Sequence, residues 1–87
     1  MDNSNKHNYY PYVVYYDRTS DYIQNVTFNY DAYYEHTPMS IGWGVEAAPV
    51  GDVIVKSGHK LSVKNGTGGV LIESGFECKK GGVFEIK

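Results

Sequence analysis

The chain has 87 residues, enough for one domain with a thin core, since a chain this short buries only about 60–65% of its unfolded surface. An apolar fraction of 41% beside 21% charged residues places it with folded globular proteins, and a net charge of −2 offers no basic field for nucleic acid. One cysteine, Cys78, excludes an intrachain disulfide framework, and no apolar run reaches the roughly eighteen residues of a membrane-spanning helix.

Residues 1–8 are polar and read as a disordered leader with no apolar segment of a signal peptide. Residues 9–87 read as a single all-β domain. Its first part, 9–36, is tyrosine-rich: all nine tyrosines fall between Tyr9 and Tyr34. The run from Tyr9 to Tyr16 is aromatic and β-branched, which suits a pleated surface, and Pro11 belongs at a strand start or edge. Asp17-Arg18-Thr19-Ser20-Asp21 has turn chemistry. Beyond it Gln24, Val26, Phe28, Tyr30, Ala32 and Tyr34 alternate with polar or outward residues, the period of a half-buried strand. The two runs predict a β-hairpin.

From Ile41 the chemistry changes, and all ten glycines lie between Gly42 and Gly82. Val53-Ile54-Val55-Lys56-Ser57-Gly58 is matched by Val70-Leu71-Ile72-Glu73-Ser74-Gly75, with Leu61-Ser62-Val63-Lys64-Asn65-Gly66 between them. Phe76-Glu77-Cys78 and Val83-Phe84-Glu85-Ile86 follow, and Ile41-Gly42-Trp43-Gly44-Val45 resembles an earlier, degenerate unit. Short strands punctuated by glycine predict a β-solenoid or β-helix-like stack over 41–87, with the tyrosine-rich hairpin packed on it. Alternation directs Val53, Val55, Leu61, Val63, Val70, Ile72, Phe76, Cys78, Phe84 and Ile86 inward. Asn65-Gly66 is a strong hairpin dipeptide, so an antiparallel meander or sandwich is the alternative.

The residues Val53, Val55, Lys56, Ser57, Gly58, Leu61, Val63, Lys64, Gly66, Val70, Ile72, Gly75, Phe76, Gly81, Phe84 and Ile86 carry a resemblance. Over about residues 41–87 the chain is similar to the glycine-punctuated C-terminal β-repeat segment of Bacteroidetes surface and secreted proteins. The resemblance implies a small β-helix-like stack that ends or spaces a surface protein, located extracellularly or at the cell surface. A cytoplasmic location is the alternative, since no export signal is read in the chain.

No catalytic, cofactor-binding or metal-binding residues are expected. His7, His36, His59 and Cys78 lack the close spacing that holds a tetrahedral metal, and Cys78 alternates onto the inward face. Asp17, Asp21, Asp31 and Glu35 occupy positions where turns and strand faces carry solvated acids, and Gly66-Thr67-Gly68-Gly69 lacks the Lys-Ser/Thr of a phosphate loop. The tyrosines are the functional signal. Tyr9, Tyr10, Tyr15, Tyr33 and Tyr34, near Asp17, Asn29 and Asp31, are expected to face outward and meet a partner, or to cap the end of the stack. The sequence thus points to a non-catalytic structural or interaction module that binds a protein partner or itself. A carbohydrate-binding module using exposed tyrosines and a small cytosolic inhibitor or immunity-type protein are the alternatives.

Overall fold

The computed structural model describes residues 15–43 and 50–87. The described residues contain ten short strands and no helix. They are β1 (Tyr15–Asp17), β2 (Tyr22–Ile23), β3 (Val26–Phe28), β4 (Ala32–Tyr34), β5 (Met39–Ile41), β6 (Val53–Val55), β7 (Lys60–Val63), β8 (Val70–Ile72), β9 (Phe76–Cys78) and β10 (Val83–Ile86).

Every third strand returns to the same sheet. The orders are β1-β4-β7-β10 in sheet A, β2-β5-β8 in sheet B and β3-β6-β9 in sheet C, and every pairing is parallel. Parallel neighbours cannot be joined by a tight hairpin, because the chain must travel back before pairing again. Here the return path is the two strands contributed to the other sheets. The strands therefore lie in layers, β1–β3, β4–β6 and β7–β9, with β10 placed on β7.

A strand of three residues has a simple logic: its first and third side chains share one face. Register stacks these side chains in columns. Val26, Val53 and Phe76 form one, and Phe28, Val55 and Cys78 the next. Ile23, Ile41 and Ile72 align in sheet B, while Ala32, Leu61 and Phe84 align in sheet A. A single core results, drawn from all three sheets: Ile23, Phe28, Ala32, Tyr34, Met39, Ile41, Val53, Val55, Leu61 and Val63. Full burial of each large aliphatic or aromatic member contributes about 1.5–3 kcal/mol.

Glycine makes the corners. Gly58, Gly75 and Gly81 turn the chain at positive φ of 85°, 94° and 88°. Gly42, at φ 117°, has a further constraint, because a Cβ there would sit 2.6 Å from the Ser74 carbonyl oxygen in the layer above.

Two expectations are corrected here. The hairpin over 9–36 does not form across its described part: β1 pairs with β4 in parallel, and the long alternating run breaks at residues 29–31 into β3 and β4, in different sheets. The break is hidden because alternation keeps its phase around the corner. Phe28, Tyr30, Ala32 and Tyr34 all still reach the core or its edge. Tyr9 to Val14 of the expected first strand, the polar leader, and Gly44 and Val45 of the degenerate unit lie outside the described residues.

The antiparallel meander is likewise replaced by parallel pairing. Asn65-Gly66 makes no hairpin turn; the left-handed positions fall on Gly68 and Gly69, and Gly66 instead makes room for Thr37. The matched segments Val53–Gly58 and Val70–Gly75 lie in different sheets, C and B. What repeats is a strand, a polar step and a corner.

The expected inward set divides by layer. Val53, Val55, Leu61 and Val63 are fully buried, and Val70, Phe76 and Phe84 pack on the core as half-buried residues. Ile72, Cys78 and Ile86 occupy inward columns but are exposed, because no described layer lies beyond them.

Candidate functional site

Two surfaces concentrate the chemistry: the outer face of sheet A and the apolar end formed by β8, β9 and β10.

On sheet A the outward column runs Tyr16, Tyr33, Ser62, Glu85. The Tyr16 and Tyr33 rings stack, with centroids 5.6 Å apart and planes 26° from parallel. Lys87 places its ammonium 5.6 Å from the Tyr33 centroid. Tyr16 comes from the β1 side of β4 and Lys87 from the β10 side, so the Tyr33 ring is flanked from both directions. The Tyr16 hydroxyl donates to Glu35, which raises its pKa. Arg18 Nε lies 3.6 Å from the same carboxylate.

Ser62 points outward yet is only 5% exposed. It donates to Glu85 at 2.8 Å, and the ammonium groups of Lys60 and Lys87 each lie 3.9 Å from that carboxylate. Exposed ion pairs of this length contribute little to stability. Their effect is to close a polar lid over the small serine.

Behind this face lies an aromatic cluster. Tyr15 approaches Tyr34 at 5.6 Å and Tyr30 at 6.2 Å; Phe28 meets Tyr30 at 5.5 Å and Tyr34 at 6.1 Å, both edge to face. Edge-to-face pairs at these spacings add about 0.5–1.5 kcal/mol beyond burial. Burial, with the neighbouring hydroxyls of Tyr15 and Tyr30 and the Asp17 charge, pushes the Tyr34 hydroxyl well above its ordinary pKa. The Tyr15 hydroxyl is raised mainly by its 2.7 Å hydrogen bond to Asp17.

Asp17 organises the turn after β1. It accepts from the Thr19 and Ser20 amides at 2.9 and 2.8 Å and from the Ser20 hydroxyl at 2.7 Å. Burial alone would raise its pKa, but the Ser20, Tyr15 and Thr19 donors outweigh it and hold the carboxyl well below the ordinary range. Asp31, at the corner between β3 and β4, instead ties its corner to the next layer: it accepts from the Lys60 amide at 3.1 Å and lies 3.2 Å from His59 Nδ1.

The expected site residues disperse. Tyr9 and Tyr10 lie outside the described residues. Tyr15 is 39% exposed with its ring against the aromatic cluster, and Tyr33 is half-buried on the outer face. Tyr34 is corrected: at 7% exposure it belongs to the core, because it occupies the column of Asp17, Val63 and Ile86 between two filled layers. Tyr16, Ser62, Glu85 and Lys87 were not singled out in the sequence. The signal existed, since Tyr16 and Tyr33 differ by the same seventeen residues as every β1–β4 pair.

No protein-family model, curated protein or solved structure matches the chain.

The second surface is apolar. β8, β9 and β10 each end their sheet. Leu71 is 56% exposed, Ile86 48%, Ile72 44% and Val83 43%. Phe76 and Phe84 meet edge to face at 5.0 Å beside them, and the Cys78 thiol is exposed on the same end. Trp43 lies at the corner near this end, hydrogen-bonded to Asp52 at 3.0 Å, with its indole against Gly75 where any Cβ would collide.

Proposed function

We propose that the chain is a non-catalytic structural and interaction module, built as a short β-solenoid and serving as a terminal or spacer unit of a bacterial surface or secreted assembly. The observation that carries this reading is the return of every third strand to the same sheet in parallel. Such an arrangement has an axis along which layers add, and each layer supplies the inward columns that the next one covers. The similarity of residues 41–87 to the Bacteroidetes surface repeat supports the location.

A glycan-binding role draws less support from the geometry. Sugar rings stack on open aromatic faces, whereas the Tyr33 ring is flanked by Tyr16 and the Lys87 ammonium, and Tyr34 is buried.

The test is location in the native host. An antibody raised against the chain is expected to label intact cells or the culture fluid. Signal that appears only after permeabilisation would overturn the surface reading in favour of a cytosolic inhibitor-type protein. A glycan array read alongside is expected to stay silent; dose-dependent binding of one sugar class would reinstate the carbohydrate-binding role.

A further inference from the structure

We infer that the apolar end formed by β8, β9 and β10 pairs with the same end of a second copy of this chain, across a two-fold axis perpendicular to the stack, to give a closed dimer. The inference deepens the structural-module reading and rests on it.

The open edge carries its free main-chain groups and its apolar side chains on the same residues. Along a strand, alternate residues direct N–H and C=O toward opposite neighbours. Gly69 and Glu73 bond back to Met39 and Ile41, Gly75 and Lys79 to Val53 and Val55, and Val83 and Lys87 to His59 and Val63. Residues of the other parity therefore turn their main-chain groups to the edge: Val70 and Ile72, Phe76 and Cys78, Phe84 and Ile86. These are also the residues in the inward columns. Such an edge is a template for another strand.

The shape of the end selects the occupant. Each circuit of three strands climbs one strand spacing, about 4.8 Å. The last three strands thus form a ramp with one step, where β10 stands above the level of β8. The same end of a second copy has the same ramp and step. A two-fold axis through the β7–β8 corner turns that copy over, keeps the handedness of its ramp and reverses its strands. β10 then lies antiparallel on β8 of the second copy, β8 receives the copy's β10, and β9 meets its own equivalent. Each step fills the other. The first-layer end has no such vacancy, since Ile23 and Phe28 are already buried there.

Parity fixes the register. Antiparallel partners that exchange both hydrogen bonds must both have free groups. That sets Phe84 opposite Ile72 of the second copy, Ile86 opposite Val70, and Phe76 opposite Cys78, so the exposed Ile72 and Ile86 are covered. Charge on the outer face agrees. Glu73 has no ion-pair partner among the described residues. In the dimer it comes opposite Val83 of the other copy, with Lys60 next in register beyond. The two Glu77 carboxylates meet at the axis, each 3.1 Å from its own Lys79 ammonium and diagonal to the other's. A contact between like ends closes on itself, so assembly stops at two.

The test uses the whole 87-residue chain in sedimentation velocity from micromolar to millimolar concentration. Mean mass is expected to double and go no higher. The Ile72→Lys variant, altered at an exposed side chain, keeps its strand content by circular dichroism and dimerises at least tenfold more weakly. Disulfide trapping in a Cys78→Ser background reads the register. Glu77→Cys faces its own equivalent in a non-hydrogen-bonded pair, where Cα atoms lie about 4.5 Å apart, within disulfide reach. It is expected to give a covalent dimer on mild oxidation. Leu71→Cys faces Glu85 of the second copy and is expected to stay monomeric on reducing-agent-free gels. A monomer at every concentration overturns the inference, as do oligomers that grow past the dimer or Leu71→Cys trapping as readily as Glu77→Cys. None of these results bears on the surface-labelling test, so the two readings fail separately.

Discussion

The first and last layers of the molecule use the same columns and end differently. Ile23 and Ile72 share a column, yet Ile23 is 2% exposed and Ile72 44%. Phe28 and Cys78 share another, with Phe28 fully buried and the cysteine exposed. At the first layer, Tyr15 and Tyr30 fold their rings against Tyr34 and Phe28. At the last, only Phe76 and Phe84 meet, and nothing among the described residues covers them. Identical backbone logic therefore ends in buried columns at the first layer and in exposed ones at the last.

The comparison is broken most severely by removing what the aromatic cluster rests on. Phe28→Ala is expected to cost about 3–5 kcal/mol, the range for emptying a fully buried phenylalanine site. The same truncation of Phe84, half-buried in the last layer, should cost well under half of that. Urea denaturation of the two variants measures the contrast, and equal losses would mean that the ends are equally covered.

Next in size is Gly42→Ala. It joins a left-handed φ to a collision with the Ser74 carbonyl, and should destabilise by about 2–3 kcal/mol, largely by detaching β8 from β5. Hydrogen exchange should show amides of 70–75 opening first.

A smaller effect tests the turn after β1. Asp17→Ala is expected to cost about 1 kcal/mol at neutral pH through lost hydrogen bonds. Because the folded pKa of Asp17 is depressed, its contribution is present above the ordinary carboxylate pKa of about 4 and is lost as pH falls below that value. Wild-type stability should therefore decline on acidification more than that of the alanine variant. Tyr34 has the opposite sign: its raised pKa keeps its contribution intact below about pH 10 and forfeits it as pH rises beyond, where the unfolded phenol ionises first. Thermal melts across pH resolve both limbs. Smallest of all, Ile86→Thr at the open end should change stability by less than about 1 kcal/mol.

Much of this layout is legible in the residues. Val53–Val55, Leu61–Val63, Val70–Ile72 and Phe76–Cys78 all form the short strands that their glycine-bounded alternation announces. Two things are not legible. A period of two survives a corner when the residues inside the corner keep the phase, which is why Phe28 to Tyr34 reads as one strand. Nor does alternation tell a middle layer from a last one: Val55 and Cys78 are equivalent in pattern, and only the stacking partner above decides which is dry. The tyrosines show the same limit, since Tyr33 and Tyr34 are adjacent in the chain and end on opposite faces of sheet A.

Trp43 gives the molecule a built-in optical gauge. It is the sole indole in the chain, half in solvent, and it leans on Gly75, a corner of the last layer, while Asp52 steadies its nitrogen. Peeling that layer away would strip one side of the ring of its neighbour, so the emission maximum should shift to the red before the tyrosine signal of the first layer changes. A single fluorescence trace can then time the loosening of one extremity against the collapse of the whole.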